Sequence, residues 1–206
     1  MKQIEYEKNV FINCPFDKDY RPIFNAIVFT VHDIGFVAKS ALEISDSAQN
    51  RLAKIMKIIS ECKYGIHDIS MTDLDPVNLL PRFNMPLELG IYLGCQRFGG
   101  RIQQRKACMI MDREPYRYQK FISDIAGQDI HFHNNDPKNV VSCVRDWIRS
   151  ASGRTKIPGG AKIWERYKLF TYELPKIANK LNIEVDEVTF ADFIYAITEW
   201  LKGNPL

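Results

Sequence analysis

The chain has 206 residues, with 28 Lys and Arg against 25 Asp and Glu. That length suits one domain with a small appendage, and a net charge of +3 is too small a surplus to form a nucleic-acid footprint. Hydrophobic residues at 46% exclude a mainly disordered chain, while the longest apolar runs fall far short of the roughly 20 residues that span a bilayer.

The first run, Asn9 to Cys14, reads as a buried strand stopped by Pro15. Pro22 opens a helix in which Ile23, Ala26, Ile27, Thr30, Val31 and Ile34 recur at helical spacing up to Gly35. Phe36 to Leu42 is a second strand. Ser45-Asp46-Ser47 offers caps for a helix whose apolar face is Leu52, Ile55, Met56, Ile59 and Cys62. Tyr64 to Ser70 is a third strand, followed by a long loop to Met85.

Pro86 opens a third helix to about Phe98, with Met85 as its N-cap. Lys106 to Asp112 is a fourth strand, Tyr116 to Ala126 a short helix, and Asp129 to Asn134 a fifth strand. Asp136-Pro137 starts a helix through Val140, Val141, Val144 and Trp147. Five alternations of strand and helix predict an α/β fold: a flavodoxin-like, doubly wound, parallel five-stranded sheet in order 2-1-3-4-5. It occupies residues 1–149. Residues 150–161 form a linker, and 162–206 a C-terminal pair of helices at about 162–181 and 185–202. Fewer than 50 residues bury little core alone, so this extension is expected to dock on the α/β domain or on a partner subunit through Trp164, Phe193 and Trp200.

Five cysteines (Cys14, Cys62, Cys95, Cys108, Cys143) are odd in number and include no Cys-x-x-Cys pair. They imply free thiols in a reducing cytoplasm. The opening residues show no signal-peptide core. A soluble cytoplasmic protein is expected, with no membrane or nucleic-acid partner.

Ligands of open α/β sheets bind beyond the carboxyl ends of the strands. The polar residues that follow each strand are therefore the candidates. They are Asn13, Cys14, Pro15, Phe16, Asp17 and Tyr20, then Glu43, Ser45 and Asp46, then His67, Asp68, Ser70 and Asp73. Arg82 and Asn84 come from the long loop, and Asp112, Arg113, Glu114 and Tyr116 follow strand four. Glu88 is the only charged residue between Phe83 and Gln96. In the first turn of a largely buried helix, with Gly90 and Gly94 admitting a close neighbour, the macrodipole favours its ionised form and burial opposes it. It either caps the helix or serves as a carboxylate facing a cationic sugar centre.

Asp68 stands at the rim or makes an Asx turn. His67 points to the opposite strand face from Asp68, which makes a poor dyad. His131 and His133 share a face without a third metal ligand. Cys14 is a reactive thiol or an inert buried one. No Gly-x-Gly-x-x-Gly or Walker loop occurs.

Three segments combine into a resemblance: Val10-Phe-Ile-Asn-Cys-Pro-Phe-Asp with Tyr20, Gly65-Ile-His-Asp-Ile-Ser, and Asn84-Met-Pro-Leu-Glu-Leu-Gly. Over about residues 9–149 the chain resembles the superfamily joining TIR domains and nucleoside 2-deoxyribosyltransferases, and more closely the bacterial TIR-like nucleotide-binding proteins. The resemblance implies that Glu88 acts at the anomeric carbon of a ribose, and places Asp68 and Cys14-Pro15-Phe16 at the nucleoside. Asn13-Cys14-Pro15 replaces the usual serines after strand one, and Asn84-Met85-Pro86 replaces the usual Trp-Cys. The implied activity is an N-glycosidase on NAD or a related nucleotide, in bacterial defence or signalling. It needs no cofactor, since NAD is its substrate. Asp68 or Asp73 would orient ribose hydroxyls, Phe16 and Tyr20 would border the base, and Arg82 or Arg113 would meet phosphate, with Asn13 and Asn84 completing the site. A non-catalytic nucleotide or cyclic-nucleotide sensor and an interaction module are the alternatives, and a homo-oligomer is expected.

Overall fold

A computed structural model describes residues 3–43, 50–74 and 79–206. Its strands are β1 (Asn9–Asn13), β2 (Val37–Lys39), β3 (Tyr64–Asp68), β4 (Ala107–Asp112) and β5 (Ile130–Phe132). They form one sheet in the order β2-β1-β3-β4-β5, and every neighbouring pair is parallel. This is the expected flavodoxin-like α/β architecture. β1 and β3 are buried along their whole length, because helices cover both faces and leave no solvated side.

After a one-turn helix α1 (Gln3–Tyr6), α2 (Arg21–Asp33) and α5 (Pro137–Ser152) cover one face of the sheet, while α3 (Arg51–Ser60) and α4 (Asn84–Phe98) cover the other. From β1 the chain steps to β2 on one side and to β3 on the other. The strand order therefore reverses between β1 and β3, and the switch point, beside which ligands of such sheets bind, lies at the carboxyl edge between them.

Several boundaries depart from the sequence reading. β2 is three residues long, and the chain tightens into a 3₁₀ turn at Ala41–Glu43. The caps at 45–47 lie outside the described residues. α3 starts at Arg51, where the Asn50 side chain accepts the Ala53 N–H at 3.0 Å. It buries Ile55, Ile58 and Ile59 and leaves Leu52 and Met56 exposed.

The predicted helix at 116–126 is two 3₁₀ turns, Arg117–Lys120 and Ser123–Ile125. Tyr116 enters with φ of +59°, and Arg117 turns inward, its guanidinium donating to Asp112 at 2.8 and 2.7 Å, to the Ile69 carbonyl and to Thr72. A buried ion pair has overridden the helical pattern.

The linker is shorter than expected. α5 continues through Ser152 and ends on Gly153 at φ +68°, a left-handed cap that glycine adopts without steric cost. α6 (Gly160–Lys180) begins seven residues later, and α7 (Phe190–Gly203) follows a 3₁₀ turn at Val185–Glu187. A side chain at Gly160 would come within 2.8 Å of Ser142 on α5, so α6 approaches α5 there as only glycine allows.

These two helices have no core of their own. Phe29 of α2 stacks on Phe170 at 5.1 Å and meets Trp200 edge-on at 5.7 Å. Phe193 is buried and Trp164 partly so in the same cluster. Of the two docking surfaces expected, the helices take the α/β domain. All five cysteines are free. Among the described residues, no helix is long and apolar enough to cross a membrane.

Candidate functional site

β1 delivers Asn13 and Cys14 to the switch point, β3 delivers His67 and Asp68, and α4 lies across it. The Asn13 amide donates to His67 Nδ1 at 3.0 Å and to the Met85 carbonyl at 2.9 Å. One buried side chain thus sets the first turn of α4 against both central strands. α4 starts at Asn84 with Phe83 as N-cap, two residues before the expected cap. Pro86 is tolerated as the third residue because that position needs no intrahelical donor. The first α-type bond runs from the Leu87 N–H to the Phe83 carbonyl.

Glu88 is consequently the fifth residue of α4 and lies in its second turn, not its first. It caps nothing. α4 is also less buried than its composition implied: Leu87 is 54% exposed, and a side chain at Gly90 or Gly94 would meet open space.

Glu88 itself is buried, with 9% exposure. Among the described residues its carboxylate accepts no hydrogen bond, and desolvation pushes its pKa up to about 7, opposed only by the charge of Arg51 at the start of α3. At neutral pH it is therefore poised between its two forms. The Cys14 thiol feels both Asp68 and Glu88, and burial together with those two charges pushes it well above its usual range. It stays protonated and is not a nucleophile.

Asp68 is fully buried. It accepts from Tyr20 Oη at 2.5 Å and from the Ser70 N–H at 2.8 Å. His133 Nε2 stands obliquely 2.9 Å from the same carboxylate. Because His133 Nδ1 accepts the Asn135 N–H, the ring proton sits on Nε2, facing Asp68. Burial opposes ionisation of Asp68, but these donors together hold its pKa below the usual carboxylate range. Asp68 and Tyr20 are thus buried together and spend these groups on each other. His67 is packed edge-on between Phe11 and Tyr92, and desolvation, with the Lys106 charge, lowers its pKa to about 3. It is a neutral core residue.

The remaining expected residues separate. Arg113 pairs with Asp73 through two bonds of 2.5 and 2.8 Å, and Arg82 holds Asp17 at 2.6 and 2.7 Å. In this state each arginine is spent on a carboxylate. Asn84 is exposed at the start of α4. Pro15 and Phe16 line a cleft of about 430 Å³ between α2 and residues 185–190, and Glu88 is not part of its wall.

Sequence reasoning missed His133 as the partner of Asp68 and Arg117 as the partner of Asp112. Their separations of 65 and 5 residues carry no periodic signal that links them. What fold and site define is an open parallel α/β sheet with a buried carboxylate near its switch point that has no hydrogen-bond partner among the described residues. No family model, curated protein or solved structure matches the chain.

Proposed function

We propose that the protein is a nucleotide N-glycosidase, with NAD or a related nucleotide as substrate and Glu88 as its catalytic carboxylate. The observation that carries this reading is Glu88: buried, without a hydrogen-bond donor among the described residues, and near the edge where open α/β sheets hold ligands. A carboxylate poorly stabilised at rest gains most from a cation that forms beside it. Cleavage of a base–ribose bond creates such a cation, since the C1′–N bond breaks with its electron pair leaving on the base and positive charge spreads over C1′ and O4′. Water then adds to C1′ and releases its proton to solvent.

The neighbours sharpen the choice of substrate. Cys14 and Tyr20 are held protonated and His67 neutral, so none of them delivers a proton readily to a leaving base. A pyridinium base such as the nicotinamide of NAD departs neutral and needs no proton. The resemblance to TIR-like proteins supports the same substrate class.

The test is chromatographic: the pure protein is incubated with NAD and with a nucleoside panel, and released base is measured. Wild type is expected to release nicotinamide, and Glu88→Gln to lose on the order of 100-fold or more in rate. The wild-type rate should rise with pH through about 7, as Glu88 ionises. Equal rates in both proteins would remove Glu88 from the chemistry. Nucleotide binding without release in either would select the sensor alternative.

A further inference from the structure

The cleft of about 430 Å³ is built jointly by the start of α2 and by the C-terminal helices. Its volume lies in the range of pockets that enclose small organic ligands, roughly 300–1,000 Å³. One wall is aromatic: Phe16 is 40% exposed and meets Phe24 edge-on at 5.7 Å, and Phe24 lies tilted on Phe190 at 5.5 Å. Around it stand Asp17, which also lines the cleft, Thr189, which caps α7, and three further polar side chains, Arg21, Asn25 and Asp186. None of the three makes a side-chain hydrogen bond or ion pair among the described residues, whereas the neighbouring Asp17 is neutralised by Arg82.

We propose that this cleft is a second ligand site, separate from the Glu88 site, and that it takes a nucleoside monophosphate. An exposed ring suits a flat base, which stacks on aromatic faces whatever its identity. The guanidinium of Arg21, unpaired among the described residues, suits a phosphate. The carboxylate of Asp186 accepts from sugar hydroxyls or an exocyclic amine. An aromatic amino acid satisfies the same charges but fills less of the volume. Phe16 is two residues from Cys14, so an occupant would join the loop bordering Glu88 to the C-terminal helices.

Titration calorimetry of the full chain with the four common ribonucleoside 5′-monophosphates tests this, with phenylalanine as the competing class. At least one nucleotide is expected to bind. Arg21→Glu and Phe16→Ala should each weaken that binding by about tenfold or more, as loss of a charge-assisted contact or a stacking face implies. Both positions are exposed, and an acidic residue at the start of α2 suits the helix dipole, so both variants should melt like wild type. Glu88→Gln should bind within about twofold of wild type, which keeps this site testable whatever becomes of the glycosidase reading. The proposal is overturned if no nucleotide binds at millimolar concentration, or if both cleft variants bind like wild type. Loss of binding in Glu88→Gln, or binding of phenylalanine alone, would overturn it equally.

Discussion

Where α6 and α7 lie on α2, the buried carboxylate of Asp33 is met by Arg166 with bonds of 2.9 and 3.1 Å, and that guanidinium lies over the Trp200 ring at 5.0 Å. At the carboxyl edge of the sheet, on its other face, Glu88 is also buried, and among the described residues no donor meets it. Burial raises both carboxyls, and Asp33 is pulled back by its partner. The contrast separates a charge matched within the fold from one left unmatched among the described residues. Buried polar groups are costly unless matched, and it is this cost that the proposed role of Glu88 would turn to use.

The largest expected effect comes from breaking the matched region outright. A chain ending at Gly153 loses Phe170, Phe193 and Trp200 from the core around Phe29. Single Phe or Trp truncations to Ala cost about 3–5 kcal/mol, and whole domains hold only about 5–15 kcal/mol. The shortened chain should therefore precipitate or show no cooperative melt. A soluble product melting like the full chain would mean that the helical pair is a separate appendage.

A smaller effect tests the ion pair alone. Arg166→Ala leaves Asp33 buried without its partner and also loses the bond to the Asn204 carbonyl. The expected cost is about 3–5 kcal/mol, read from the urea midpoint. Asp33→Asn in the same background should recover part of it, because a neutral amide is cheaper to leave unpaired. If Arg166→Ala unfolds at the wild-type midpoint, the pair contributes no stability and the contrast with Glu88 collapses.

The smallest effect is the one at Glu88. Its pKa is about 4.3 in an unfolded chain and about 7 here, so folding takes up a proton between those values. The stability that Glu88 allows is complete below about pH 4.3 and is lost as pH rises through 7. Glu88→Gln lacks that loss. Its melting temperature should gain on wild type as pH rises from 5 to 8, each kcal/mol moving it by about 2–4 °C for a chain of this size. A constant difference between the two proteins across that range would show an ordinary, solvated carboxylate.

Taken by itself, the sequence determined the strand–helix alternation, and from it the parallel sheet and its order. Continuous apolar runs such as Met109–Met111 and repeats such as Ile55 and Ile59 report local periodicity, which depends on neighbours in the chain. It also isolated Glu88, because a lone charge in an apolar helix is visible in one dimension. Tertiary structure alone decided how each polar group is used. Asp68 is met by Tyr20 and His133 from 48 and 65 residues away. Arg82, Asp73 and Arg113 looked available until they paired with carboxylates or arginines distant in sequence. The α4 cap lies two residues earlier, at Phe83, whose carbonyl accepts the Leu87 N–H, and Asn13 of β1 holds the Met85 carbonyl in that first turn. Periodicity is a property of adjacent residues, whereas hydrogen-bond satisfaction is settled by groups that meet only after the chain has closed on itself.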